Sequence, residues 1–185
     1  MKKQLCNFFL LLTFCSCIVE QKVEDYSLYV NPLIGNADNG HTFPGACAPF
    51  GLIQVSPESG TGSWRYCSGF NYDDDFIDGF TQTHLNGTGL PDLGDVLMLP
   101  YCGKLPDSLY RSRYNKETQK ASAGYYSVDL TDAHVGVELT ATSRTAFHKY
   151  LFKDGTPRIL LDLQRGLVND CLLYTSPSPR DRQKS

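Results

Sequence analysis

The sequence predicts an all-β fold, an antiparallel β-sandwich, and three observations lead there. Four β-rich runs, Tyr125–Leu130, Val135–Thr142, Thr145–Phe152 and Arg158–Leu163, recur at roughly ten-residue spacing. Turn-forming pieces separate them: Thr131-Asp132, Ser143-Arg144 and Asp154-Gly155-Thr156-Pro157. Within the second run, Val135, Val137 and Leu139 alternate with Gly136, Glu138 and Thr140, the period of two that turns one face to a core. Finally, Leu28–Gly62 is broken by Asn31-Pro32, Ile34-Gly35, Asn39-Gly40, Phe43-Pro44-Gly45, Ala48-Pro49, Phe50-Gly51 and Ser56-Pro57, which leaves no helical window.

From the N-terminus, Lys2-Lys3 and the apolar run Phe8–Cys17 read as a secretory signal of the bacterial lipoprotein kind over residues 1–17. The run is too short to span a bilayer. Ser16 before Cys17 suits cleavage there, which makes Cys17 the expected lipidation site and the protein an outer-membrane lipoprotein, periplasmic or cell-surface. Residues 18–27 are polar and charged, a tether between anchor and fold. Residues 28–170 form the predicted domain, with short apolar pieces such as Leu52–Val55 between turns, and a strand at Phe76–Phe80 after the acidic turn Asp73-Asp74-Asp75. In Thr145–Phe152 the alternation is less clean, because Phe147 and Leu151 flank polar His148 and Lys149.

Residues 171–185 break the pattern. Cys171-Leu-Leu-Tyr-Thr-Ser176 back-translates as TGT CTC TTA TAC ACA TCT, the start of a transposase adapter used in short-read library preparation, and the match continues to Asp181. The tail is therefore expected to be adapter read-through, against the plainer reading of a disordered Ser/Pro segment. Setting aside the signal and this tail leaves 12 basic and 19 acidic side chains, a formal net charge of −7. An acidic exported domain repels phosphate backbones, which argues against nucleic acid as a partner. Cys47, Cys67 and Cys102 remain, an odd number that allows one disulfide of undetermined pairing, and without a CxxC motif structural zinc has little support.

Chemistry concentrates in Gln82–Asp95, "QTHLNGTGLPDLGD". The stretch lacks the GxxxxGK[ST] and GxGxxG patterns that cradle phosphate, and Leu90-Pro91 with no following helix argues against either. Asn86-Gly87-Thr88 matches a glycosylation sequon, which a bacterial signal makes incidental. Asp73–Asp75 with Asp78 lacks the alternating ligands of a calcium loop and reads as a solvated turn. His41, His84, His134 and His148 show no metal-binding spacing; His134 and His148 read as strand-surface residues, whereas His84 opens the polar loop. Trp64, the only tryptophan, is either a core anchor or a platform for the C–H face of a sugar ring. Asp38, Asp78, Asp92 and Asp95 are carboxylates without an assignable catalytic pair.

Four stretches together resemble one family: "YVNPLIGNADNGHTFPGACAPFGLIQVSPESG" (Tyr29–Gly60), "WRYCSGFNYDDDFIDGFTQTHLNGTGLPDLGDVLMLP" (Trp64–Pro100), "AGYYSVDL" (Ala123–Leu130) and "RTAFHKYLF" (Arg144–Phe152). They resemble the N-terminal domain of glycoside hydrolase family 92, the calcium-dependent exo-acting α-mannosidases. Leu90 departs from the cysteine or small residue of many members. The resemblance implies a β-sandwich packed on a C-terminal (α/α)6 barrel that carries the catalytic acid and base of an inverting mechanism and the calcium ligands, none of them in this chain. It implies that Trp64, His84 and Asn86 contribute to the substrate pocket, with mannose-containing glycans as partners. The expected chain is thus an incomplete, inactive front end of an α-mannosidase. The rival readings are a stand-alone carbohydrate-binding module with Trp64 as platform, and an adhesin-like structural domain.

Overall fold

A computed structural model describes residues 24–104 and 110–167. The expected signal with Cys17, most of the tether and the 171–185 tail lie outside the described residues. Ten strands run β1 (Ala46–Cys47), β2 (Gln54–Glu58), β3 (Phe76–Ile77), β4 (Gly79–Thr81), β5 (Leu97–Cys102), β6 (Ser112–Ser122), β7 (Tyr125–Leu130), β8 (Val135–Ala141), β9 (Ala146–Phe152) and β10 (Pro157–Asp162). They form two five-stranded antiparallel sheets, ordered β1-β2-β4-β5-β10 and β3-β6-β7-β8-β9. The all-β sandwich is the observed architecture. Among the described residues the helical pieces are two single 3-10 turns, Tyr26–Tyr29 and Trp64–Tyr66, and no helix is long and apolar enough to cross a membrane.

The alternation in β8 does what its period requires. Val135, Val137 and Leu139 are buried and face Tyr126, Val128 and Leu130 of β7 and Val55, Phe80 and Leu99 of the opposite sheet in one core. Burying side chains of this size stabilises by about 1.5–3 kcal/mol each. Strand β9 inverts the expectation from its apolar residues. Its register pairs Val137 with Tyr150 and Leu139 with His148, so His148, Tyr150 and Phe152 turn inward. Phe147 and Leu151 then point out, 66% and 63% exposed. His148 is thus no surface residue: Nε2 meets Gln82 Oε1 at 3.0 Å and the Tyr150 hydroxyl lies 2.9 Å from Nδ1.

Two further differences concern the site. Phe76–Phe80 is not one strand. The chain changes sheets at Asp78, so β3 pairs with β6 while β4 lies between β2 and β5. The long polar strand β6, with little apolar content to announce it, is recruited by pairing to β7 and carries an irregularity between Asn115 and Lys120. Cys47, Cys67 and Cys102 are free thiols, exposed, buried and half-buried respectively.

Candidate functional site

The loop leaving β4 folds back on itself and carries Gln82–Asp95 along one end of the first sheet. Gln82 N donates to Asp95 O and Gly94 N to Thr83 O, and His84 bridges Leu93. Three residues around this turn, His41, Leu93 and Val96, adopt φ of +52°, +67° and +57°. Side chains other than glycine avoid that region, and such conformations persist only where surrounding contacts enforce them.

Trp64 stands at the surface on its 3-10 turn, 54% exposed. His41, itself buried, meets it edge to face with centroids 4.2 Å apart. The backbone of the loop closes the other side: the Gly87 N–H donates to His41 O at 2.6 Å, and a Cβ on Gly89 would lie 3.0 Å from Trp64 Nε1. The indole is therefore held at two places while much of it remains in solvent. Asn86 is exposed on the same loop and lines an apolar hollow of about 510 Å³ with Val30, Pro32, Ile34, Phe43 and Cys47. Trp64 lies outside that lining. In the sequence His41 stands out only as one of four histidines without metal-binding spacing; its neighbours Asn39-Gly40 read as a turn, and nothing local indicates the ring contact to a residue 23 positions away.

His84 is placed differently from Trp64 and Asn86. Its side chain is fully buried behind the loop. Nδ1 lies 2.7 Å from Gln54 O, and because a carbonyl only accepts, this nitrogen carries the proton. Nε2 lies 2.9 Å from Thr81 Oγ1, which donates to Glu58 Oε1 at 2.6 Å. Glu58 is equally buried and accepts from Arg165 Nε at 3.4 Å, while Arg165 Nη2 donates to Asp78 Oδ2 at 2.5 Å. Arg111 Nε lies 3.1 Å from Asp78 Oδ1 without the alignment of a hydrogen bond. The contacts of Arg165 to Glu58 and Asp78 hold its guanidinium pKa above the usual value despite burial. Asp78, expected in a solvated turn, is one of two buried carboxylates neutralised from behind the site.

This arrangement can present an aromatic face and an amide to a ligand, and its two buried carboxylates among the described residues are committed to arginine. Glu58 and Asp78 are withdrawn from solvent, unlike carboxylates that must flank a scissile bond with a water between them. Asp74 pairs with Arg65 and Asp75 with Lys116, 3.0 and 3.1 Å away, and on the loop Asp95 accepts from Thr83 Oγ1 at 3.3 Å and Asp92 from Leu93 N at 2.8 Å. Among the described residues no three acidic, histidine or cysteine side chains gather to hold a metal, and the cation-facing carboxylates do not fit calcium.

The model of the glycosyl hydrolase family 92 N-terminal domain matches residues 29–183. A curated relative from Arthroderma benhamiae, described as an uncharacterized secreted glycosidase, is 29% identical over 80% of this chain and 21% of its own length. Among solved structures, a family 92 α-mannosidase from Bacteroides thetaiotaomicron in complex with mannoimidazole superposes with a TM-score of 0.75 at 37% identity, over 78% of this chain and 20% of that one. A family 92 inverting mannosidase from the same organism gives 0.65 at 26% identity, over 77% and 20%. The chain thus spans about a fifth of the length of these relatives.

Proposed function

The chain belongs to glycosyl hydrolase family 92, and from that premise we propose that it is the front part of an exported, inverting α-mannosidase, in which it forms one wall of the substrate pocket. The half-exposed Trp64 indole, braced by His41 and by the backbone at Gly89, carries this reading. An indole face offers apolar contact to the C–H face of a sugar, and bracing lowers the entropy lost when the ring is fixed on binding. Asn86 adds an amide that donates and accepts toward hydroxyls. His84 serves the same wall from behind, tying the loop to β2 and β4. The mannoimidazole complex of a 37% identical relative supports mannose-containing glycans as the ligand class.

As the family resemblance implies, the catalytic acid and base of this reading, and the calcium ligands, lie in the rest of the protein, in a C-terminal (α/α)6 barrel; the buried carboxylates here are occupied by arginine. Export is supported by the secreted glycosidase relative, and anchoring through lipidated Cys17 completes the localisation proposed.

The test is mannose release from an α-mannoside by the protein expressed from the uninterrupted reading frame, with NMR identifying the first-formed anomer. Inversion of the α-linkage requires β-mannose first; α-mannose first, or no release, overturns the proposal. The 185-residue chain alone should release none. Trp64→Ala in the long protein should lower kcat/KM by about tenfold, about 1.4 kcal/mol of lost transition-state binding. If instead the chain alone binds glycans and loses them on Trp64→Ala, the binding-module reading replaces this one.

A further inference from the structure

We propose that Arg165 and Leu167, beyond β10, form a clasp that sets the position of the Trp64 wall. The assignment of that wall to a sugar rests on the function proposed above; the clasp itself does not. Leu167 is completely buried and makes two backbone bonds: its N–H donates to Leu93 O at 2.9 Å, and its carbonyl accepts from Gly62 N at 3.2 Å. Gly62 stands two residues before Trp64, and Leu93 is the residue bridged to His84. One short segment therefore lies between the two loops that carry the candidate site. It joins them by main-chain bonds that a change of side chain elsewhere cannot replace.

The side chains lock that segment down. The guanidinium of Arg165 reaches back under the loops to Glu58 on β2 and to Asp78 at the sheet crossover. Through Glu58 the link runs on to Thr81 and His84. Gly94 completes the seat, since a Cβ there would fall 2.7 Å from both Glu58 Oε1 and Leu167 Cγ. Two otherwise unexplained buried carboxylates thus acquire a role. They hold a cation whose backbone neighbourhood spaces Gly62 from Leu93. An ion pair chosen only for stability is a poor investment, because desolvating its charges offsets most of the attraction; fixing one arrangement is the better-attested use of such groups.

Trp64 is the only tryptophan of the 185 residues, so its fluorescence reads the wall directly and without sugar. In the full chain, Leu167→Ala and Arg165→Met should shift Trp64 emission to the red and raise its quenching by acrylamide, with the far-UV β signal retained. Arg165→Lys keeps the charge but cannot span both carboxylates, and should give an intermediate shift. It decides the matter if Arg165→Met does not fold. Val137→Ala, in the core of the opposite sheet, destabilises without touching the clasp and should leave emission and quenching at the parent values. Unchanged quenching in folded Leu167→Ala and Arg165→Lys overturns the proposal, as does an equal rise in Val137→Ala.

Discussion

His41 and Trp64 meet with their ring planes at 86° and their centroids 4.2 Å apart, the one ring buried and the other half in solvent. The buried partner sits on strained backbone, at φ +52°, so the orientation of the exposed indole depends on a residue that the fold holds in place at a cost. His41→Gly should relieve the strain and remove the brace together. The expected result is a small change in thermal stability with a marked loss of sugar affinity in the long protein. Equal losses in both would make His41 merely structural.

Gly87 and Gly89 separate backbone from contact effects. A Cβ at Gly87 meets nothing within 4 Å, but φ is +68°, so Gly87→Ala should cost about 1–2 kcal/mol of stability through conformation. Gly89→Ala meets Trp64 Nε1 instead and should perturb Trp64 emission while costing less stability. Chemical denaturation read by circular dichroism, with fluorescence alongside, distinguishes the two; the reverse pattern would contradict the loop geometry.

Glu58 is the acceptor on which the buried network turns. Glu58→Ala leaves Arg165 and the Thr81–His84 pair without it, and should destabilise by about 3–5 kcal/mol. Arg165 keeps Asp78 in that variant, so adding Arg165→Met should destabilise further, but by less than Arg165→Met does in the parent, where Glu58 is left as a buried unpaired anion. Strictly additive losses would show that the two residues do not act as a pair.

His148 gives the fold a pH dependence. Burial between the sheets lowers its pKa from 6.5 to about 4, so the folded state favours the neutral ring. Between those values the unfolded chain binds more protons, and stability must therefore rise with pH. The contribution is complete above about 6.5 and is lost as pH falls toward about 4. His148→Gln should flatten the thermal midpoint across this window; an unchanged slope would place the effect elsewhere.

Strand β10 is an edge among the described residues, pairing on one side with β5. It exposes Ile159 and Leu161 at 46% and 55%. Open apolar edges template association. Light scattering of the 185-residue chain should therefore fall with Leu161→Lys, whereas a mid-sheet outer change such as Thr140→Lys should have no such effect.

The sequence by itself determined the fold class and most of the second half. Tyr125–Leu130 became β7 with its bounds unchanged, and the alternation of Val135, Val137 and Leu139 gave the burial of β8, because a strand's faces follow from a period of two that needs no partner to be read. Its long motifs sufficed to indicate the family, and the composition of Gln82–Asp95 to mark the loop worth examining. Tertiary structure alone decided the rest. Pairing to β8, not the hydrophobicity of β9, turned His148 inward and Phe147 outward. The crossover at Asp78 split an apparent single strand and buried its carboxylate against arginines 33 and 87 positions downstream. His84 and Trp64 look alike in sequence as polar-loop candidates, yet one is sealed and the other open. Burial is set by which distant segments arrive to cover a side chain, for His84 those of Phe43, Gln54, Glu58 and Gly69, and no local pattern encodes those arrivals.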